Sequence, residues 1–169
     1  MSYKTSGINL KSHNLGNSDK IITIFSRDLG KIKAAARGSR KPASKFGGRL
    51  ELFAHNDYLL NKGKTLDIIN QAETIEPFMA IRSRFETIQA GLYLLWAVDK
   101  ATVEYQPNPA LFDLLLSCLK ALTRPGLTAK GLAKIKNFFQ REVLNCEGIG
   151  PEEELSETAF EQKFFDYVG

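Results

Sequence analysis

Between residues 27 and 49 the sequence gathers Arg27, Lys31, Lys33, Arg37, Arg40, Lys41, Lys45 and Arg49 around one carboxylate, Asp28, a local net charge of +7. Side chains of one sign at this density suit a polyanion, because each phosphate they neutralise releases condensed counterions. Alternation along residues 30–36 predicts Lys31 and Lys33 on one strand face, and Gly47-Gly48 lets a backbone come close beside Phe46. Phe46 and Tyr58 are the aromatic candidates for stacking on bases, although both also suit a core. Phosphate contact should then outweigh base readout, with little sequence preference. Lys33, Arg37, Arg40 and Lys45 flank the most open part of the stripe and lead the set of expected phosphate ligands. A solvated face that serves solubility is the competing reading of the same cluster.

Other chemistries find less support. Gly63-Lys64-Thr65 looks like the end of a phosphate-binding loop, but Tyr58 stands where that pattern needs glycine, so a hairpin turn is expected. His13 reads as part of a turn and His55 as part of a strand, and no motif around either would aim a nucleophile. Glu152-Glu153-Glu154 lacks further oxygen ligands at fixed spacing. Cys118 and Cys146 have no partners at metal-ligand spacing and read as small core residues. No catalytic residue, metal site or cofactor is expected, and hence no enzyme.

The elements that must carry the basic stripe change period near Pro77. Before it, short strands are predicted around Ile8 and Leu10, over residues 20–26 and 31–36, over a long run 49–60, and over 65–71. Five strands with a long connection after the third suit a small barrel of the OB type, in which closure removes exposed edges. After Pro77 the apolar residues Ile81, Phe85, Ile88, Leu92 and Leu95 recur at helical spacing, and residues 92–98 are apolar nearly all round, which predicts a central helix. Asn108 and Pro109 start a second helix with the stripe Leu111, Leu114, Leu115, Cys118, Leu119 and Leu122. Thr128 caps a third helix carrying Leu132, Ile135, Phe139 and Val143. A loop over residues 147–154 leads to a short aromatic helix with Phe160, Phe164 and Tyr167.

The expected fold class is therefore α+β, a five-stranded OB-like barrel over 1–77 followed by an all-α helical domain over 78–169. The charge follows that division. Residues 1–80 carry 13 Lys/Arg against 7 Asp/Glu, and residues 81–169 carry 10 against 12, within a net of +4 for 169 residues. No run approaches the roughly 18 apolar residues of a membrane helix, and the N-terminal residues are too polar for a signal-peptide core, so a cytoplasmic protein without a membrane partner is expected.

Three blocks in order, LKSHNLGNSDKIITIFS (10–26), GKIKAAARG (30–38) and SKFGGRLE (44–51), resemble the N-terminal region of the bacterial RecO family of recombination mediators. The resemblance continues through DIINQAE (67–73) and AGLYLLWAVDK (90–100), and covers residues 1 to about 125. It implies a barrel followed by a helical domain, in a protein of the bacterial cytoplasm and nucleoid. Such a protein binds single- and double-stranded DNA, anneals strands and helps load the recombinase, with RecR and single-strand-binding protein as partners. The four-cysteine zinc site of many family members has no counterpart among these cysteines.

The resemblance also implies a docking face for the acidic, apolar C-terminal tail of single-strand-binding protein. Lys130, Lys134, Lys136 and Arg141, on the helix that carries Phe138 and Phe139, are the candidate partner-binding residues. An RNA- or tRNA-binding OB module and a protein–protein adaptor are the alternative functions. Nucleic-acid binding by the barrel would separate the adaptor from the other two.

Overall fold

The computed structural model describes residues 1–148 and 157–168. The Glu152-Glu153-Glu154 run and the Phe160 side chain lie outside the described residues. Five strands, β1 (Ser2–Leu15), β2 (Asp19–Ser26), β3 (Gly30–Ala36), β4 (His55–Asn61) and β5 (Asp67–Glu76), close into a barrel in the order β1-β2-β3-β5-β4. β1 is long enough to serve two neighbours. Its first half pairs with β4 and its second with β2, with a bulge between Asn9 and Lys11 where it changes partner. Alternation sends Ile22, Ile24, Ile32, Ala34 and Ala36 inward, where they meet Tyr58, Leu60 and Ile69.

The barrel closes weakly between β3 and β5, whose parallel pairing is limited to Ala34 with Asp67 and Ala35 with Ile68. Further along β3 the edge is taken by a segment from beyond the first helix. Glu104 bridges Lys31 in parallel, and the Tyr105 amide donates to the Lys31 carbonyl at 3.0 Å. Gly30 has φ +77°, and a Cβ there would meet the Gln106 carbonyl oxygen at 2.3 Å, so only glycine admits this approach. Tyr105 itself has φ +57°, a costly conformation for a tyrosine. Its hydroxyl donates to Asp67 at 2.9 Å and Lys62 Nζ sits 3.5 Å from its ring centroid, contacts that hold the residue there. Asp67, 2% exposed, also accepts from the Tyr3 hydroxyl and from the Gly63 amide at 3.0 Å.

Several sequence expectations need correction. Residues 49–54 are not strand: Gly47–Leu50 forms a 3-10 turn and Phe53 adopts φ +73°. The cause is polar. Asn9 pairs through its main chain with Phe53 and Ala54, while the Asn9 and Asn56 side chains hold the Arg49 and Glu51 carbonyls. β5 starts after Thr65 and runs on to Glu76, because Asp57 and Asn56 of β4 pair with Glu73 and Thr74 despite their polarity. His13 lies on β1, opposite Ile21, and not in a turn.

The chain divides into two compact units, one comprising Met1–Phe78 with Thr102–Pro109, the other Met79–Ala101 with Ala110–Gly169. The second unit is helical: α1 (Phe85–Ala101), α2 (Pro109–Leu122), α3 (Ala129–Cys146) and α4 (Glu157–Val168). Ile81 belongs to a 3-10 turn, Met79–Ser83, ahead of α1. α2 buries the whole predicted stripe, and the Thr128 hydroxyl caps α3 by accepting from the Gly131 amide at 3.1 Å. α1 is not buried all round. Leu94, Leu95, Ala97 and Val98 are inside, whereas Leu92 and Trp96 remain 42% and 37% exposed. Phe139 and Phe164 meet edge to face, and Gln140 donates to the Tyr93 hydroxyl at 2.7 Å, tying α3 to α4 and α1. Among the described residues no helix is long and apolar enough to cross a membrane.

Candidate nucleic-acid interface

The basic stripe does not form one continuous surface. Arg27 stands in the turn between β2 and β3, and Arg37 follows the far end of β3, so the seven-residue strand separates them by about 20 Å. Lys31 and Lys33 project outward from β3, as alternation requires. Lys33 Nζ lies 2.7 Å from Glu104 Oε1, so its charge is already matched.

The remaining cations sit on the connection from β3 to β4, which is fixed at both ends. At its start the Gly38 amide donates to the Asp19 carboxylate at 2.8 Å, the Arg40 amide to the Ser18 carbonyl at 2.9 Å, and the Arg40 guanidinium to the Gly16 carbonyl at 3.0 Å. The Gly38 amide above all, with Ser18 and the charges of Arg37 and Lys41, lowers the Asp19 pKa against its partial desolvation. At its end Phe46 and Leu50 are buried, 2% and 3% exposed. Asn9 and Asn56 donate to the Arg49 carbonyl at 3.0 and 2.6 Å. Both amides are held in turn by the buried Tyr58 hydroxyl, which accepts from Asn56 and donates to Asn9 Oδ1. Burial pushes that phenol's pKa upward, so it stays a donor.

Arg37, Arg40, Lys41 and Lys45 are thus exposed on a loop whose backbone is held by hydrogen bonds and two buried anchors. Arg49 is exposed too, but its guanidinium donates to the Lys45 and Phe46 carbonyls at 3.3 Å each and so shapes the loop from within. Phe46 and Tyr58 cannot offer rings to bases, because both belong to the barrel core. Lys45 does lie near the Phe46 ring, 5.3 Å from its centroid. A groove of about 230 Å³ runs beside the loop between Lys45, Arg49 and the β5 residues Asn70, Gln71 and Glu73. The outer face of β4 and β5 has the opposite sign: Asp57 and Glu73 are direct cross-strand neighbours and line a depression with Asp28 and Lys4. The barrel surface is electrostatically polarised, and its loop side is the one that suits phosphate.

On α3 the four candidate cations divide. At 100° per residue Lys130, Lys134 and Arg141 share one face and Lys136 lies well round the helix. An apolar groove of about 370 Å³ between α1 and α3 is lined by Tyr93, Leu94, Leu122, Leu132 and Ile135, with Lys136 and Glu86 on its rim. Lys136 Nζ is 5.2 Å from the Tyr93 ring centroid. Phe138 is exposed, whereas Phe139 is wholly buried against Phe164 and unavailable to a partner.

Comparison with known proteins decides the family. Residues 1–78 match the family model described as recombination protein O N terminal, and residues 82–154 the one described as recombination protein O C terminal. The chain belongs to the RecO family. It is 32% identical to the DNA repair protein RecO of Acetivibrio thermocellus over 169 residues, 98% of this chain and 66% of that protein. With the DNA repair protein RecO of Thermosynechococcus vestitus it shares 37% identity over 150 residues, 89% of this chain and 53% of the relative. With that of Trichodesmium erythraeum it shares 44% over 113 residues, 67% of this chain and 39% of the relative. The chain therefore spans between 39% and 66% of the length of these RecO relatives.

The zinc site expected of many RecO proteins does not fit these residues. Cys118 is buried within α2, its thiol pKa pushed up to about 12 by burial and by the Glu142 charge, while Cys146 is exposed at the end of α3. No group of three or more His, Cys, Asp or Glu side chains that could hold a metal occurs among the described residues. Two parts of the RecO barrel were invisible to sequence reasoning: the Asn9–Asn56–Tyr58 clasp under the basic loop, and Glu104, which reaches Lys33. Asn9, a strand asparagine between Ile8 and Leu10, was the available signal for the clasp.

Proposed function

We propose that this RecO-family chain is a non-enzymatic DNA-binding recombination mediator acting in the bacterial cytoplasm at the nucleoid. It holds single- and double-stranded DNA by the phosphate backbone, promotes annealing and helps recombinase loading. The observation that carries this reading is the pinned loop with Arg37, Arg40, Lys41 and Lys45 exposed on it. Cations held in place by their own backbone lose little conformational freedom on meeting phosphates. Annealing follows from the same chemistry, because two polyanions drawn to one basic surface repel each other less, with no need for a nucleotide or a general base.

Salt titration of single-strand binding tests it. With four to six phosphates neutralised, log K falls against log salt with a slope of roughly −3 to −4, nearly equal for oligonucleotides of different sequence. A slope near zero, or strong sequence discrimination, refutes backbone binding. ATP hydrolysis or strand cleavage by the pure chain refutes the non-enzymatic reading.

RecR and the acidic tail of single-strand-binding protein are the proposed protein partners. For the tail, the α1–α3 groove accepts apolar side chains and Lys136 offers the charge on its rim. A labelled tail peptide should bind the full chain roughly fivefold more weakly when Lys136 is replaced by glutamate, the scale of one exposed ion pair. Reversal of Lys130 and Lys134 should change little. The opposite ranking places the tail on the other face of α3.

A further inference from the structure

We propose that Glu104, carried by the Thr102–Pro109 segment, decides which side of the barrel holds DNA: it occupies Lys33 and keeps phosphate off the outer face of β3. This inference rests on the DNA-binding reading above and specifies its geometry. The outer face of the second and third strands is where OB barrels commonly take oligonucleotides. Here the segment lies along that strand. Glu104 is bridged to Lys31 through the backbone, its carboxylate is 2.7 Å from Lys33 Nζ, and Tyr105 donates its amide to the Lys31 carbonyl.

The carboxylate presents to Lys33 what a phosphate would present, two oxygens sharing a negative charge, and it is delivered from within the same unit as the barrel. The segment is not free to swing aside. Tyr105 is held to Asp67 through its hydroxyl and to Lys62 through its ring, and the Gln106 backbone lies so close to Gly30 that a Cβ there would meet its carbonyl oxygen at 2.3 Å. A strand approaching β3 therefore meets a lysine already neutralised by a carboxylate, whereas one approaching the loop meets Arg37, Arg40, Lys41 and Lys45. Glu104 is a specificity-determining residue for the DNA path. The Lys33–Glu104 pair is half exposed on both sides, 48% and 41%, so its removal should hardly change stability.

A double-mutant cycle in the full chain tests this. Lys33→Ala alone should leave single-strand affinity unchanged, because Glu104 already holds that lysine. Glu104→Gln should tighten binding about fivefold at 0.1 M salt and steepen the salt slope by about 0.7, the signature of one additional phosphate contact. Lys33→Ala added to Glu104→Gln should abolish the gain. Unfolding midpoints of all four proteins should agree. If Lys33→Ala weakens binding equally in both backgrounds, DNA already displaces Glu104 and the proposal is overturned while the binding reading stands. If Glu104→Gln gives no gain, the segment does not gate that face and the proposal again fails. A wild-type chain that binds no DNA overturns both.

Discussion

Replacement of Arg37, Arg40, Lys41 and Lys45 together by alanine is expected to weaken single-strand binding roughly 600-fold at 0.1 M salt and to flatten the salt slope by about 2.8. Each lost contact on a single strand removes about 0.7 from that slope, and at 0.1 M the four together amount to nearly three decades in affinity. All four side chains are exposed, so the unfolding midpoint should move little. Arg40 is the exception to watch, since it donates to the Gly16 carbonyl, but its main-chain bond to Ser18 survives the substitution. Arg49 is left out because its guanidinium bonds the loop's own carbonyls. Fluorescence anisotropy across a salt series, with circular dichroism as the folding check, measures both quantities. A loss of less than tenfold with an unchanged slope would move the phosphate path elsewhere on the barrel.

The second large effect concerns Asp67. Asp67→Ala is expected to destabilise the chain by roughly 3–5 kcal/mol, since hydrogen bonds to a charged group are worth about 1.5–3 kcal/mol each and this carboxylate accepts three, one of them from the half-exposed Tyr105. That is a sizeable share of the roughly 5–15 kcal/mol of a typical domain. A pH dependence comes with it. Burial alone would raise the Asp67 pKa, but the Tyr3 hydroxyl, the Gly63 amide, the Tyr105 hydroxyl and the Lys62 charge outweigh it and hold the pKa below the ordinary aspartate value. A carboxyl whose folded pKa is depressed contributes fully above its unfolded pKa, and the contribution is lost as pH falls through the folded one. Urea unfolding of the wild type should therefore weaken steeply on acidification below the ordinary aspartate range. Asp67→Asn should show a flatter acid limb, and equal limbs would remove Asp67 as the cause.

What was legible in the sequence is what periodicity records. The glycine-bounded run 30–36 and the leucine stripe of α2 each declare one buried face, and the structure buries those faces, while the β-branched run 20–26 is buried on both faces from Ile22 to Ser26. Thr128 was legible as a cap because hydroxyls at that position answer unpaired amides. The connection 37–54 was not, because its course is dictated by partners distant in sequence: asparagine amides on β1 and β4 seize its carbonyls and override the strand-like run that follows Arg49. The polar end of β5 escaped detection because it has no apolar alternation, only pairing with β4. The basic residues were easy to find but hard to sort. Composition counts Lys33 and Arg40 alike, while only geometry reveals that one faces a carboxylate and the other a backbone carbonyl on an exposed loop.

The seam between β3 and β5 has a consequence for how the chain acquires its structure. A ribosome releases β1 to β5 first, but the edge of β3 is completed by Glu104 and Tyr105, and between β5 and those residues the whole of α1 must emerge. Until then Asp67 lacks one of its hydroxyl donors and the Lys31 carbonyl has no amide to meet. Contacts so remote in sequence carry a loop-closure cost before they return any stabilisation, which delays their formation. The nascent barrel therefore passes through an interval with one open edge, exposed to pairing with other chains, and a fragment ending at Phe78 would remain in that interval permanently.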